Sequence, residues 1–459
     1  MKKLVLFGAG IYAEKYVSLL NYLELSFDYF TDNDSSKFSK TYMGKPIISP
    51  EELIDMDCDI LISCTHGKQI MQQLSEMKIS HKVINLDIIC EKVKNKIEEK
   101  SIFLHNNAEM TIINDIFEGG GWGGTEMWAA TISKGLSQRK HKVCILGTKR
   151  QPLLSSEMER LTERFSDTNS FEQILNSMLN KMPFTLINNF SGYAYIIAVI
   201  LKKIYPDWVR VINVVHNDER SLYNANMVFA EYVDQFLCVS NKIYNTVIQE
   251  YEIDKSKVYY KEQPIEFEEY YKRVYNSHDR KVKIGYAGRL TKQQKRTEFM
   301  PQFIDYLENK NIEYVLEIAG EGECLKQIKD FVEQKKLNQK VKLLERIERD
   351  AMPCFWKNQD IVVSFSDYEG ASLSMLEAMS YACVPIVTKV SGVDEFVTDG
   401  INGYVRNVGD IEGLADAIKL LSEHKFNLEI YGERCRKEII TRCRIEDYID
   451  YISEIIEGA

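Results

Sequence analysis

The sequence predicts an α/β chain built from three consecutive units, each with its own parallel sheet. Three observations carry this. Short β-branched runs alternate with amphipathic stretches from one end of the chain to the other. Glycine-rich turns follow several of those runs directly, as at Gly8-Ala9-Gly10, Gly119 to Gly124 and Gly288. The length, 459 residues, suits about three domains.

The first unit covers residues 1–95. Its strands are expected at Lys3–Phe7, Phe27–Thr31, Ile60–Cys64 and Lys82–Leu86, with helices between them. Residues 91–101 are charge-dense and form a helix or a linker. The second unit, 105–270, has expected strands at Thr111–Asp115, Lys142–Leu146, Thr185–Asn188, Val209–Val215 and Gln235–Val239, and a helix at Met127–Gln138. Segment 259–281 has no apolar period and is the candidate hinge. The third unit, 280–440, has expected strands at Val282–Tyr286, Val315–Ala319, Val341–Leu344, Asp360–Ser364 and Pro385–Thr388. A last helix, within 441–459, is expected to pack back across the cleft between the second and third units.

Composition narrows the function classes. Hydrophobic residues make up 45% and charged residues 27%, which excludes a disordered or fibrous chain. The net charge of −10 speaks against general nucleic-acid binding. The ten cysteines never form C-x-x-C and read as free thiols of a reducing compartment, with no zinc site. The longest aliphatic-aromatic run, Tyr193 to Leu201, is far short of the ~20 residues of a membrane span. A cytoplasmic protein is expected. The stretch Lys202 to Arg210 mixes cations with aromatics and could rest on the inner leaflet as a peripheral contact.

Four stretches carry chemistry. In Glu369-Gly-Ala-Ser-Leu-Ser-Met-Leu-Glu377 a strand is followed by a carboxylate in a loop, then by a helix starting around Ser372. The N–H groups of a helix start, with its dipole, cradle phosphate, and carboxylates accept sugar and ribose hydroxyls. Gly288-Arg289-Leu290 with Lys295 presents two cations, as a departing diphosphate needs. Glu118 to Glu126 holds five glycines in six residues before a helix. His216-Asn217-Asp218 follows directly on the strand Val209–Val215, at a carboxyl end where ligands bind in such sheets. The plain alternatives are a capping residue, a solvated basic turn, a linker and a structural histidine.

Together these stretches resemble the family-4 retaining glycosyltransferases, whose architecture is GT-B. The resemblance runs from about residue 108 to 455. It rests also on Val215-His216, Val239-Ser240, Ile318 to Glu323, Pro385-Ile386-Val387, Ser391-Gly392-Val393 and Asn402-Gly403-Tyr404. It implies two Rossmann-like domains, acceptor-side and donor-side, preceded by the small Rossmann-like unit. It implies that Arg289 and Lys295 grip the diphosphate of a nucleotide-sugar, that of a UDP-sugar above all, and that Glu377 binds the ribose. Glu369 and the backbone of Gly370, Ala371 and Ser372 would hold the donor sugar. His216 would sit near the reaction centre, and Gly123, Gly124 and Gly288 would line the cleft. His216, Arg289, Lys295 and Glu369 are thus the catalytic candidates, with no metal and no cofactor required. The acceptor would be a glycan, a lipid-linked saccharide or a protein, in cell-surface polysaccharide or glycoconjugate synthesis. The sequence departs from the pattern at Ala371, Ser374 and Arg296, where an aromatic, a proline and a glycine are common.

In the first unit Gly8 and Gly10 follow a strand, and Asp32 ends the second strand near the spacing of a ribose-binding acid. NAD(P) is one occupant of such a site, and an NAD-linked sugar-nucleotide oxidoreductase one alternative function. A docking or oligomerisation domain is the plainer role, and a non-catalytic GT-B scaffold is the remaining alternative. Asp32-Asn33-Asp34 and Asp57-Cys58-Asp59 match a metal-binding Asp-x-Asp but read as turns or caps.

Overall fold

In a computed structural model the structure describes residues 2–99, 110–116, 123–147, 163–165, 171–274 and 281–458. The strands form three sheets. The first sheet joins β1 (Lys3–Phe7), β2 (Tyr29–Thr31), β3 (Thr41–Tyr42), β4 (Lys45–Ile48) and β5 (Cys58–Ile62) in the order β3-β4-β2-β1-β5. The second joins β6 (Thr111–Ile116), β7 (Lys142–Gly147), β8 (Glu163–Phe165), β9 (Phe184–Asn188), β10 (Val209–Val215), β11 (Gln235–Cys238) and β12 (Val258–Tyr260) in the order β12-β11-β10-β9-β6-β7-β8. The third joins β13 (Val282–Ala287), β14 (Tyr314–Ala319), β15 (Val341–Leu344), β16 (Ile361–Ser364), β17 (Val384–Thr388) and β18 (Tyr404–Arg406) in the order β15-β14-β13-β16-β17-β18. Pairing in the third sheet is parallel throughout, and its centre is buried on both faces, as the near-continuous apolar strands require.

Chain contacts divide the molecule into two compact units. The first holds the first two sheets, except for Cys238 of β11 and Tyr259 and Tyr260 of β12. It comprises 1–215, 220–237 and 253–258. The second holds the third sheet with 216–219, 238–252 and 259–459.

Inside the first unit the front sheet domain is docked on the second sheet through helices. Helices α1 (Ala13–Tyr22), α2 (Gly67–Glu76) and α3 (Leu86–Glu99) belong to the front domain, and α4 (Gly124–Gln138) to the second sheet. From α1, Ser18 Oγ lies 3.2 Å from the hydroxyl of Tyr193, and the Tyr22 ring packs on Phe171 at 5.5 Å. At the start of α3, Asp87 pairs with Lys203 at 2.5 Å. His66 Nε2, just before α2, lies 3.1 Å from Asn224 Nδ2.

Several expectations need correction. No strand forms over Lys82–Leu86. A single bridge links Ile60 to Val83, and α3 begins at Leu86. Lys82 instead turns its ammonium onto the carbonyls of Leu53, Ile54 and Met56, which ties off the loop before β5. Residues 91–99 are the body of α3, whose buried stripe Ile89, Cys90, Val93 and Ile97 explains why so charged a segment is ordered. The described part of the candidate hinge, 259–274, is no free linker. Arg273 is buried within the second unit, where it pairs with Asp360 at 2.8 Å and donates to the carbonyl of Tyr381. The last helix, expected within 441–459, runs over Ile445–Glu457, and its Tyr451 donates to the carbonyl of Tyr260 in β12. The basic stretch near Lys202 is largely engaged: Lys202 pairs with Asp234 and Lys203 with Asp87. None of the ten cysteines, all of them among the described residues, is in a disulfide. Among the described residues no helix is long and apolar enough to cross a membrane.

Candidate active site

The site of the second unit is built on the carboxyl ends of β13 and β16. Strand β13 ends against the loop that follows β14, and two glycines make this possible. Gly320 and Gly322 hold φ of +152° and +148°, and a Cβ on them would stand 2.0 Å from the Gly288 carbonyl and 2.4 Å from that of Leu290. Their loop therefore lies directly on Gly288-Arg289-Leu290, and Leu290 N–H donates to the Glu321 carbonyl at 2.8 Å. The backbone that presents Arg289 is clamped, while its side chain is exposed and donates to Gln294 Oε1 at 2.6 Å.

Lys295 and Glu369 meet. The ammonium lies 2.5 Å from Glu369 Oε1, which also accepts from Ser366 Oγ at 2.7 Å. Glu369 is only 5% exposed. Burying a carboxylate costs heavily unless it is paired and hydrogen-bonded, and here it is both. Gln294, which the sequence did not single out, joins Arg289 to this pair through a 3.5 Å approach to Glu369 Oε2. Arg296, where a glycine is common, has φ of +51°, a conformation that glycine adopts without cost. Its ion pairs with Glu298 at 2.8 Å and Asp367 at 2.6 Å hold it there.

Gly370 allows a close backbone approach, and the approaching group is the protein itself. A Cβ at 370 would stand 1.8 Å from the His216 carbonyl oxygen and 2.7 Å from Val239 Cγ2. Asp218 N–H donates to the Glu369 carbonyl at 3.2 Å, so the His216 loop is seated on the 369–370 turn. Protein atoms crowd the His216 ring although part of its surface reaches solvent. Burial pushes its pKa down to about 3, so the imidazole is neutral at pH 7. Ser240 Oγ lies 2.7 Å from Ser391 Oγ, and Asn241 N–H donates to Glu395, which fixes the neighbouring strand end to the same unit.

Glu377 sits on the helix Leu373–Ser380, as the spacing requires, and pairs with Arg349. Arg349 was invisible in the sequence because it lies in a short turn after β15, far from any motif. Beside Lys295 a small, partly open hollow is lined by Tyr286, Ala287, Ser364, Ser372, Ser374 and Met375. Ser374, where a proline is common, thus faces it. Ser372 is the residue before the helix, and Ala371 lies against Gly392. The second unit therefore brings together His216, Gly288, Arg289, Lys295, Glu369, Gly370, Ala371 and Ser372, with Glu377 further along the helix that Ser372 precedes.

Gly123 and Gly124 belong to the first unit and open α4, where Glu126 reaches back to the Gly123 N–H at 2.9 Å. Glu118 to Trp122 lie outside the described residues. In the front domain Asp32 is occupied by its own chain. Oδ2 accepts from Ala9 N–H at 2.9 Å and from Lys37 Nζ at 2.9 Å, and Oδ1 accepts from Asp34 N–H at 3.0 Å. These bonds hold the Asp32 pKa below the usual carboxylate value although partial burial opposes them. Gly8, at φ +116°, is required by Cys64, whose Cβ would lie 2.7 Å from a Cβ at 8, while Gly10 faces open space. A dinucleotide at this turn would have to displace Lys37 from Asp32 and Asp32 from the Ala9 N–H. Asp34 caps the turn Ser35–Lys37 as expected. Among the described residues no group of three or more His, Cys, Asp and Glu is placed to hold a metal.

Residues 267–440 match the family model described as glycosyl transferases group 1, and residues 1–85 match the one described as C2185-like, N-terminal. Among curated proteins the chain is 26% identical over 237 residues to an Escherichia coli UDP-Gal:alpha-D-GlcNAc-diphosphoundecaprenol alpha-1,3-galactosyltransferase, covering 49% of this chain and 60% of that protein. It is 27% identical over 168 residues to a poly(ribitol-phosphate) alpha-N-acetylglucosaminyltransferase of Staphylococcus aureus, covering 36% of this chain and 34% of that one. The chain thus spans less than two thirds of either relative. Among solved structures, Anabaena HepE with UDP and glucose superposes with a TM-score of 0.63 at 16% identity, over 76% of this chain and 100% of that one. The chain has the α/β fold of the GT-B glycosyltransferases, with a further sheet domain at its front, and its residues 267–440 carry the glycosyl transferases group 1 sequence.

Proposed function

We propose that the chain transfers a sugar from a UDP-sugar to an acceptor hydroxyl with retention of anomeric configuration, as family-4 enzymes do. The observation that carries this reading is the Lys295–Glu369 pair beside Arg289, at the strand ends of the segment that matches the group 1 model. Lys295 and Glu369 neutralise each other in the structure. When a diphosphate arrives, Lys295 moves to it, and Glu369 is freed to accept a hydroxyl of the donor sugar. Arg289, already exposed, takes the rest of the phosphate charge. Neutral His216 donates or accepts a hydrogen bond near the anomeric carbon and contributes no charge. The departing phosphate oxygen takes the acceptor proton, so the reaction balances without a protein base or a metal. Glu377 exchanges Arg349 for the ribose hydroxyls.

UDP is the favoured base because the relatives above are a UDP-Gal enzyme and a structure with UDP bound. The acceptor class that fits those relatives is a growing surface glycan or lipid-linked saccharide. We take 1–95, 105–270 and 280–440 as the working domains. The oxidoreductase alternative is opposed by the occupied Asp32. Oligomerisation through the front domain would have to use a face other than α1 and α3, which are covered within the first unit. A peripheral membrane contact would need cations other than Lys202 and Lys203.

The test is nucleotide release from a panel of UDP-glucose, UDP-galactose, UDP-GlcNAc, UDP-GalNAc and GDP-mannose, with EDTA present. Turnover of one donor, lost by at least ~100-fold in Arg289→Ala and in Glu369→Ala, is the expected result. Variants as fast as wild type would refute the site. Turnover abolished by EDTA would refute metal independence.

A further inference from the structure

The seam between the front domain and the second sheet contains polar groups that folding alone does not explain. Asp115, near the carboxyl end of β6, is 8% exposed, and among the described residues its Oδ2 has no hydrogen-bond partner. The Ser191 hydroxyl, in the loop after β9, is buried and also lacks one among the described residues. Ser191 itself is held at φ +51°, with its N–H on the Asn188 side chain at 2.9 Å. Gly192 follows, and a Cβ there would stand 3.7 Å from Asp115 Oδ2, so Asp115 faces this loop. Into the same place the front domain sends Lys15, from α1. Its ammonium donates to the Ser191 carbonyl at 2.6 Å and lies over the Tyr12 ring at 4.1 Å. It attracts Asp115 through space without forming an ion pair with it.

An unpaired buried carboxylate oxygen is costly, and such groups mark strain, a bound water or a ligand. Three features favour a ligand. The groups lie at the carboxyl ends of adjacent parallel strands, where α/β sheets bind theirs. They comprise an acceptor, a donor-acceptor and a cationic donor, which is the set that reads neighbouring hydroxyls of a sugar ring. And the lysine is set by the front domain's docking contacts, Ser18 to Tyr193 and Asp87 to Lys203.

We propose that Lys15, Asp115 and Ser191 form a saccharide-hydroxyl site at this seam, so that the front domain contributes a residue to the seat of the acceptor. The assignment of the bound saccharide as acceptor rests on the transferase reading. The front domain then has a purpose that needs no nucleotide of its own.

The experiment uses the full chain. UDP binding is measured by calorimetry, and binding of the methyl α-glycosides of glucose, galactose and N-acetylglucosamine by saturation-transfer NMR at tens of millimolar, with UDP present. Variants are Lys15→Met, Asp115→Asn and Lys203→Met. The last breaks the Asp87 pair of the same docking surface and leaves the site intact. All must unfold cooperatively near the wild-type temperature. The expected result is a glycoside signal in wild type and Lys203→Met, at least tenfold weaker in Lys15→Met and reduced in Asp115→Asn, with UDP affinity equal in all. Three results would overturn the proposal: glycoside binding unchanged in Lys15→Met; equal loss in Lys203→Met, which would make Lys15 a docking residue; or no glycoside bound by protein that binds UDP, which would leave ordered water as the occupant. Failure to bind UDP would instead overturn the transferase reading.

Discussion

Replacing Asp115 by asparagine is expected to stabilise the first unit above pH 7 and to change it far less near pH 4. Burial pushes the Asp115 pKa up to about 7, from its ordinary value of 3.8, although the nearby Lys15 charge pulls the other way. In the unfolded chain the same carboxyl titrates near its ordinary value. Between the two values the unfolded state has released a proton that the folded state still holds. Stability from this group is therefore complete below about pH 4 and is lost as pH rises through 7. A move from 3.8 to about 7 corresponds to about 4 kcal/mol, reached in full by pH 8. Asparagine has the same shape and no such proton, so its own unpaired amide adds a cost that does not vary with pH. The difference between variant and wild type should thus grow by about 4 kcal/mol from pH 4 to pH 8. Hydrogen exchange of β6 and β9 amides, compared between the two proteins at each pH, reads this locally. A difference that stays constant across pH would refute the buried protonated carboxyl.

Two further outcomes bear on the second unit. Gly370→Ala puts a methyl group 1.8 Å from the His216 carbonyl, and neither backbone can yield alone. Overpacking of this kind costs ~1–3 kcal/mol, so a lower melting temperature is expected, with donor turnover down at least ~100-fold as the Glu369 loop shifts; turnover at the wild-type rate would show the contact to be slack. Because burial keeps His216 neutral down to about pH 3, kcat/KM for the donor should show no inflection near 6.5, and an inflection that vanishes in His216→Gln would overturn that assignment. The same shift makes the folded state lose stability as pH falls from 6.5 towards 3, since the unfolded histidine takes up a proton that the folded one refuses.

The donor-side features were legible because each is local. A strand, a glycine, an arginine and a helix that follow one another in sequence specify their geometry with little help from the rest of the chain. The structure accordingly puts Arg289, Lys295, Glu369 and Gly370 in one place. What was not legible depends on partners distant in sequence. Arg349 on Glu377 joins a turn to a helix 28 positions on. Lys15 reads in sequence as one solvated position of an amphipathic helix, and only the docking of α1 turns it towards Ser191, 176 positions away. The missing strand at Lys82–Leu86 is the ambiguity of any short apolar run. Val83 is the one residue there that bridges to β5, and the rest is taken up by the turn before α3.

The glycine motif at the front of the chain needs a different argument, because both its shape and its spacing hold while its chemistry is spent. A phosphate cradle works by leaving the first N–H groups of the turn free to face the ligand. Here Gly8 N–H donates to the Thr31 carbonyl at 2.7 Å and Ala9 N–H to Asp32. The acid that would hold a ribose has Lys37 as counter-ion. A dinucleotide would have to displace that lysine as well as desolvate itself, and Gly8 is accounted for by its contact with Cys64. The same turn, however, sets the start of α1, and α1 carries Lys15 to the seam. The strand-turn-helix unit is thus explained by where it sends one side chain on the neighbouring domain, which is a requirement on helix position that any functional front domain must keep and that a cofactor need not impose.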